Sequence, residues 1–206
     1  MSVHVIDHPL ASHMLSVLRD KRTEPQVFRQ ISRNLATLLI VEATKGIRST
    51  TRMVETPLEP MQAPCLDQRL AVVPVLRAGL GMLEAALSLF PEVSVGYIGL
   101  ERNHDTAEAH TYYCKLPKLE NCYTLCFDPM LATGGSASQA LSFLKAQGAT
   151  DLSFVSVIAS PEGVSRLAEE HPDVDVFTTC IDRELSDKKY ILPGLGDFGD
   201  RLYGTE

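Results

Sequence analysis

Residues 122–140 read CYTLCFDPMLATGGSASQA, and this stretch decides the fold class. The largely apolar run 122–127 predicts a strand that is buried on both faces. Asp128 follows it, then a loop of small residues, and then a helix predicted over residues 136–147. A strand that passes through a glycine loop into a helix is one unit of a parallel α/β sheet.

The same alternation occurs along most of the chain. Further strands are predicted at residues 70–76, 93–100, 152–159 and 174–180, and further helices at residues 26–46, 79–90 and 161–171. Together they predict an α/β fold with an open parallel sheet. The polar residues 61–69 predict a connection or a short helix. Residues 101–118 and the tail from Asp182 fit neither period, and a long polar segment is typical of a functional lid or arm.

The bulk properties narrow the class of protein. The 206 residues are 45% hydrophobic, which suits one α/β domain. The start of the chain has no signal-peptide pattern, and no apolar run reaches the ~18 residues that cross a bilayer, so no membrane partner is expected. Five cysteines without a CxxC pair indicate free thiols and a cytoplasmic location. The net charge of −7 and the scattered basic residues argue against a nucleic-acid partner.

The loop at residues 133–136 has the properties of a phosphate site. Free backbone N–H groups and roughly +0.5 of a charge collect where a helix begins. Gly134 and Gly135 allow close approach, and Thr133 and Ser136 offer hydroxyl donors. Asp128 lies where open α/β sheets usually hold ligands. For TGGS alone, a helix cap with a tight turn is the alternative, and the GxxxxGK[ST] motif of nucleotide triphosphatases is absent.

The full string DPMLATGGS is more specific. It resembles the loop of the phosphoribosyltransferases that binds phosphoribosyl pyrophosphate (PRPP), and the single acidic residue before proline resembles the uracil branch. The resemblance implies that this loop holds the ribose and the 5-phosphate. The residues concerned are Asp128, Pro129, Met130, Leu131, Ala132, Thr133, Gly134, Gly135 and Ser136.

Two other segments carry the same resemblance. Residues 73–82, VPVLRAGLGM, put Arg77 at the end of a strand, where an arginine suits an anion and is also often only solvated. The segment resembles the pyrophosphate loop of the uracil enzymes. Residues 99–117 resemble their mobile arm, which makes Arg102 a second PRPP contact. Near the arm's tip, members often carry an acidic residue and a proline. This chain has Asp105 and Ala109 there, with His104 and His110 as unusual neighbours.

The glycine-rich stretch at residues 190–205, YILPGLGDFGDRLYGT, resembles the uracil-binding hood of the family. It lacks the ligand spacing of a calcium loop. The resemblance implies that the base is read by the backbone, at the carbonyl of Ile191 and at Gly196, Asp197 and Phe198. Asp197 is also the candidate for a further contact with PRPP or a Mg²⁺-bound water. Many bacterial members have alanine where this chain has Phe198.

The resemblance covers essentially the whole chain, and three motifs occur in the family's order. It implies one phosphoribosyltransferase domain over residues 1–206, with helices on both faces of the sheet. A protruding arm is expected at about 100–118, and a hood at about 182–206 together with N-terminal residues.

The implied activity is pyrimidine salvage, in which the 5-phosphoribosyl group moves from PRPP to uracil to give UMP. Asp197, Asp128 and Arg102 are the implied catalytic residues. Mg²⁺ is the expected cofactor, carried mainly by PRPP without a protein metal site. A homodimer or larger homo-oligomer is also implied, with GTP as a candidate effector.

Three alternatives stay open at this point. The acceptor could be another base, such as orotate or a purine, although the hood motif argues against it. The fold could serve an RNA-binding regulator, against which the acidic charge argues. The chain could also be a degenerate paralogue that binds PRPP with little turnover, in view of residues 104–110.

Overall fold

The computed structural model of the protein describes residues 1–102 and 109–205. The helices of these ranges are α1 (Pro9–Arg19), α2 (Pro25–Ala43), α3 (Leu80–Leu89), α4 (Gly135–Ala146), α5 (Pro161–Glu170) and α6 (Phe198–Tyr203). The strands are β1 (Val3–Val5), β2 (Ser49–Glu55), β3 (Pro60–Leu66), β4 (Arg69–Leu76), β5 (Ser94–Val95), β6 (Tyr97–Arg102), β7 (Ala109–Lys115), β8 (Cys122–Phe127), β9 (Met130–Leu131), β10 (Asp151–Val155), β11 (Ile158–Ala159), β12 (Asp175–Thr178), β13 (Cys180–Ile181), β14 (Glu184–Leu185) and β15 (Ile191–Leu192).

The main sheet has the strand order β1-β12-β10-β8-β4-β6-β7, and β5 also pairs with β4. All of these pairs are parallel except β6 with β7, which is antiparallel. The α/β class and the open parallel sheet that the sequence predicts are confirmed. Because the strands are parallel, their carboxyl ends meet at one edge of the sheet.

Alternating side chains of the central strands enter two hydrophobic cores, one on each face of the sheet. Along β4, Leu70 and Val72 belong to the core that packs on α1, α2 and α3. Ala71 and Val73 belong to the core that packs on α4 and α5. Helices therefore cover both faces, which also confirms the prediction and explains why these strands read as continuous apolar runs.

The predicted strands at 152–159 and 174–180 are each two short strands, so those predictions are wrong in detail. At the carboxyl edge, β9, β11 and β13 form a separate parallel sheet. The break follows β10, where the Ser156 N–H donates to the Phe177 carbonyl at 2.9 Å and the Val157 N–H turns to Pro129 at 3.0 Å. Ser156 and Val157 are both buried, so no change in the sequence pattern marks the break between the two strands. The predicted strand at 93–100 is likewise interrupted, at Gly96.

The prediction of a connection or short helix at residues 61–69 is wrong. Residues 60–66 form β3, which pairs with β2 in an antiparallel hairpin from Ser49↔Leu66 to Glu55↔Pro60. Most of the hairpin is exposed on both faces, so no alternation of polar and apolar residues marks it.

The two segments without a period also contain regular structure. In the arm, β6 and β7 pair from Tyr97↔Lys115 to Arg102↔Ala109. The tail contains the β14–β15 hairpin and α6. None of the helices in the described parts of the chain has the length and apolar character that a bilayer crossing needs.

Candidate active site

A cavity of about 350 Å³ opens at the carboxyl edge of the main sheet. Three segments that lie far apart in the sequence line it: the loop after β4, the loop after β8, and the tail. The lining residues are Ala78, Asp128, Met130, Ala132, Lys188, Lys189, Tyr190, Ile191, Gly196, Asp197, Phe198 and Gly199. The structure thus brings together the phosphate loop and the hood that the sequence singles out.

The loop after β8 is held by backbone hydrogen bonds to the neighbouring strands. The Asp128 N–H donates to the Val155 carbonyl at 3.2 Å, and its Oδ1 accepts from the Met130 N–H at 3.3 Å. Pro129 is buried, and its carbonyl accepts from Ile158 at 3.1 Å. Leu131 is also buried. Of these, Asp128 and Met130 face the cavity, while Pro129 and Leu131 support the loop.

Gly134 precedes α4 in the left-handed conformation, with φ of 76°, which favours glycine. The helix start has no side-chain cap and no acidic residue in its first turn. Its free N–H groups and positive dipole end can therefore serve an anion. Thr133 and the first two residues of α4, Gly135 and Ser136, follow Ala132, which lines the cavity, but are not in the lining themselves.

Arg77 follows β4 after a cis peptide bond and points to the tail. Its Nη2 is 3.6 Å from Asp200 Oδ1, and its guanidinium carbon is 5.9 Å from the ring centre of Tyr203. Its side chain is 62% exposed and does not line the cavity, although the adjacent Ala78 does.

Arg102 ends β6, where its backbone pairs with Ala109. The features at the arm's tip, His104 and Asp105, lie outside the described residues, as do the side chains of Arg102, Ala109 and His110.

The hood residues line the same cavity as the phosphate loop. The Oδ1 of Asp197 accepts from the Asp200 N–H at 2.9 Å and so caps α6. The Phe198 side chain is 1% exposed and packs against Phe28, with ring centres 5.1 Å apart. The phenylalanine side chain, which is larger than the alanine of many family members, therefore lies in the hydrophobic core. At Gly194, an added Cβ would lie 2.1 Å from the Ile191 carbonyl oxygen, so glycine is needed beside that carbonyl.

An ion pair that the sequence analysis misses joins the hood to α1. Arg19 binds Asp182 through two hydrogen bonds of 2.9 and 2.5 Å and also donates to the Gly194 carbonyl at 2.7 Å. The Asp182 carboxylate also accepts from the Gly194 N–H at 2.9 Å and from the Cys180 thiol at 3.4 Å. Burial raises the pKa of Asp182, but Arg19, the Gly194 N–H and the Cys180 thiol together outweigh burial and hold that pKa below its usual range. Because Arg19 and Asp182 are 163 positions apart, no local sequence pattern indicates that they pair.

Five cavity residues are also missed: Ala78, Lys188, Lys189, Tyr190 and Gly199. Ala78, Tyr190 and Gly199 lie inside the motifs quoted above, so closer attention to those motifs could have included them. The two lysines precede the hood motif, and no pattern in the sequence marks them.

The carboxylates of the cavity suit a magnesium ion that arrives with phosphates. Among the described residues, no group of three or more His, Cys, Asp or Glu side chains could hold a metal ion. Asp128 and Asp197 both line the cavity. Mg²⁺ commonly takes one or two carboxylates and completes its shell with water and phosphate oxygens. The residues present therefore fit such an ion.

A solved structure of a distant protein shows which fold the chain shares. A hypoxanthine-guanine phosphoribosyltransferase from Bacillus anthracis shares the fold at a TM-score of 0.51 and 8% identity, covering 76% of this chain and 80% of its own. With its open parallel sheet, this chain therefore has the fold of that phosphoribosyltransferase.

Closer comparisons identify the branch. The family model described as uracil phosphoribosyltransferase matches residues 5–205. The uracil phosphoribosyltransferase of Brucella anthropi is 48% identical and covers 100% of both chains. That of Dictyoglomus thermophilum is 48% identical and covers 99% of this chain and 100% of its own. The solved structure of the AQ2163 protein from Aquifex aeolicus matches at a TM-score of 0.95 and 38% identity, over 99% of each chain. The chain belongs to the uracil phosphoribosyltransferase family.

Proposed function

We propose that this chain transfers the 5-phosphoribosyl group of PRPP to uracil and releases UMP and pyrophosphate. The observation that carries the proposal is the cavity, which Asp128 of the phosphate loop lines together with the hood residues Ile191, Gly196 and Asp197. A donor and an acceptor base can meet there. The names of the relatives at 48% identity support the same reaction.

The reaction replaces one bond at the anomeric carbon of ribose. N1 of uracil forms a bond to this carbon, the bond from the carbon to the pyrophosphate oxygen breaks, and the N1 proton is lost to solvent. Positive charge develops on the ribose ring and negative charge on the leaving group. The work of the protein is therefore to position both substrates and to stabilise these charges, without a nucleophilic side chain.

The phosphate loop and its neighbours bind the donor in this proposal. Asp128 accepts hydrogen bonds from the ribose hydroxyls. The N–H groups of residues 133–136 and the positive end of α4 bind the 5-phosphate. Arg77 and Arg102 bind the pyrophosphate. In the structure, Arg77 is only weakly held by Asp200, so it is free to turn towards an anion.

The hood reads the base through its backbone. Uracil presents carbonyl acceptors and N–H donors, which the Ile191 carbonyl and the N–H groups near Gly196 and Phe198 can match. At position 4, cytosine has an amino group where uracil has a carbonyl, so it would leave a buried group unpaired. Such a site can discriminate by ~10⁴-fold. Because the Phe198 ring is buried in the core, it is the backbone at this position that can contact the base in the cavity.

Mg²⁺ completes the proposed site. Asp128 and Asp197 would hold the ion directly or through water. When bound, the ion neutralises part of the phosphate charge.

The proposed assembly is a homodimer or a larger homo-oligomer. The β2–β3 hairpin supports this, because Met53 is 62% and Leu58 is 95% exposed. Sedimentation of the wild type and of a Met53→Ser, Leu58→Ser variant tests the idea.

Addition of GTP to the assay tests the candidate effector. The proposed setting is the cytoplasm, which the five free cysteines support.

The function is tested by incubating the protein with PRPP, Mg²⁺ and labelled uracil. UMP and pyrophosphate should appear in equal amounts. A protein that binds PRPP but forms no UMP would fit the degenerate paralogue, and the proposed function would be rejected.

A further inference from the structure

The turn between β14 and β15 brings two lysines to the mouth of the cavity. Lys188 and Lys189 are exposed and are the only cationic residues in its lining, as far as the described residues show. Within the same ranges, neither ammonium group lies within ion-pair distance of a carboxylate, and the charge of Lys189 acts on the Glu162 carboxylate only through space. Arg166 and Arg77, by contrast, are paired with Glu170 and Asp200.

The backbone of this turn is fixed. The Ser186 N–H donates to the Tyr190 carbonyl at 2.7 Å, and the Lys189 N–H donates to the Ser186 carbonyl at 2.8 Å. The Leu185 N–H donates to Glu162 at the start of α5, at 3.2 Å. These bonds hold the hairpin against the domain, and the turn therefore keeps the lysines beside the cavity.

Lys189 occupies a position that favours glycine. Its φ is 64°, in the left-handed region, at the end of a three-residue hairpin loop where glycine is preferred. The turn geometry thus gives no reason for a lysine. A residue kept in an unfavourable conformation beside a functional cavity points to a role for its side chain.

We propose that Lys188 and Lys189 bind the diphosphate of PRPP as it enters and leaves the cavity. This inference rests on the proposed function, in which PRPP is the donor. Ala78, the neighbour of Arg77 in the expected pyrophosphate loop, lines the same cavity as the lysines, whereas residues 133–136, expected at the 5-phosphate, do not. The lysines therefore share the cavity with the expected pyrophosphate loop and not with the residues expected at the 5-phosphate.

Charge explains why such a pair is useful. The protein has a net charge of −7, and PRPP is a polyanion. Two cations at a cavity mouth offset the charge of Asp128 and Asp197 in the lining and raise the local concentration of an anionic substrate. Uracil is neutral at pH 7, so its binding should be insensitive to the pair.

The test replaces both lysines in the full chain, as Lys188→Gln with Lys189→Gln. The KM for PRPP should rise about tenfold, and the difference should shrink as salt is raised from about 0.05 M to about 0.5 M. The KM for uracil and kcat should stay within about twofold. The inhibition constant of pyrophosphate, a product, should rise by a factor similar to the rise in the PRPP KM. The inhibition constant of ribose 5-phosphate, which lacks the diphosphate, should not change. Arginine at both positions should restore PRPP binding.

A matched control removes the same charge at the opposite edge of the sheet, as Lys45→Gln with Lys118→Gln. Lys118 lies just before β8, and Lys45 just after α2, whose Ala43 carbonyl accepts from Tyr123 near the start of β8. Lys189→Gly removes one charge and places glycine at the left-handed position, which glycine favours. It should therefore show a smaller rise in PRPP KM than the double variant. An unchanged PRPP KM in the Lys188, Lys189 double variant, or an equal rise in the control, would overturn the inference. Absence of UMP with the wild type would instead reject the proposed function.

Discussion

The carboxylate of Asp197 both begins α6 and lines the cavity. Asparagine is an equally good helix cap, because its side-chain oxygen can accept the same hydrogen bond from the Asp200 N–H. Alanine can supply neither the cap nor the charge. The two substitutions therefore separate the structural role of this residue from its proposed electrostatic role.

Asp197→Asn should lower kcat/KM by ~10²-fold or more, because the charge that supports the transition state is lost. Its melting temperature should stay close to that of the wild type, whereas Asp197→Ala should lose activity and also about 1 kcal/mol of stability. Steady-state kinetics and thermal unfolding measure the two effects. A wild-type kcat/KM for Asp197→Asn would remove this charge from the mechanism.

Arg77→Ala should mainly impair the use of PRPP. Its only ion pair among the described residues is a 3.6 Å contact with Asp200 at the surface, which contributes little to stability. We expect the PRPP KM to rise about tenfold or more, with a free energy of unfolding within about 0.5 kcal/mol of the wild type. The matched control is Arg183→Ala, which removes an arginine from another exposed pair. Unchanged PRPP kinetics would refute the role.

At the scale of elements, the hood depends on the contact between α1 and residues 182–194. Asp182 is 2% exposed and is satisfied by Arg19 and the Gly194 N–H. Removing the cation would leave a buried carboxylate without its partner.

Arg19→Ala should therefore cost about 3–5 kcal/mol in the free energy of unfolding, measured with urea at pH 7. The pKa of Asp182 is lowered in the folded protein, so its contribution is present above the unfolded pKa of about 3.9 and is lost as the pH falls through the folded pKa. The wild type should thus lose stability below about pH 4, and Asp182→Asn should lose less over that range. An equal acid dependence in both proteins would contradict this account of the pair.

The connection from β4 to α3 depends on Gly79. A Cβ at this position would lie 2.5 Å from the Phe127 carbonyl oxygen and 2.7 Å from backbone atoms of Val75. Gly79→Ala should cost about 2–3 kcal/mol, because backbone atoms cannot give way as a flexible side chain can. Gly46→Ala is the control, since nothing lies within 4 Å of its added Cβ. Equal urea midpoints for the two variants would show that the packing at Gly79 tolerates a methyl group.

The elements that the sequence predicts well are those with a strong local pattern. Strand β8 has the predicted bounds, because its residues are buried on both faces and a charged residue follows it. The β2–β3 hairpin has no buried face, so its sequence lacks a period. The pairing of Arg19 with Asp182 and the position of Lys188 depend on how distant segments meet, which local patterns do not encode. Motif resemblance supplied the hood residues that line the cavity, but the lysines lie outside that motif.

On the scale of the whole molecule, two cores on opposite faces of one sheet fix the edge where the site lies. The loop after β8 supplies the proposed donor side of the cavity, and the tail supplies the proposed base side. The tail reaches that position because Arg201 donates to the Leu195 carbonyl at 2.6 Å and the Asp20 carbonyl at 2.6 Å, which joins it to the end of α1. The fold as a whole thus brings the segments proposed to bind the phosphoribosyl group and the base into one cavity.

The most direct measurement is steady-state product formation from PRPP and Mg²⁺ with uracil, cytosine, orotate and hypoxanthine as parallel acceptors. The account predicts UMP from uracil, with kcat/KM for each of the other bases lower by ~10⁴-fold. Comparable turnover of orotate or hypoxanthine, or no turnover of uracil by a folded protein that binds PRPP, would contradict it.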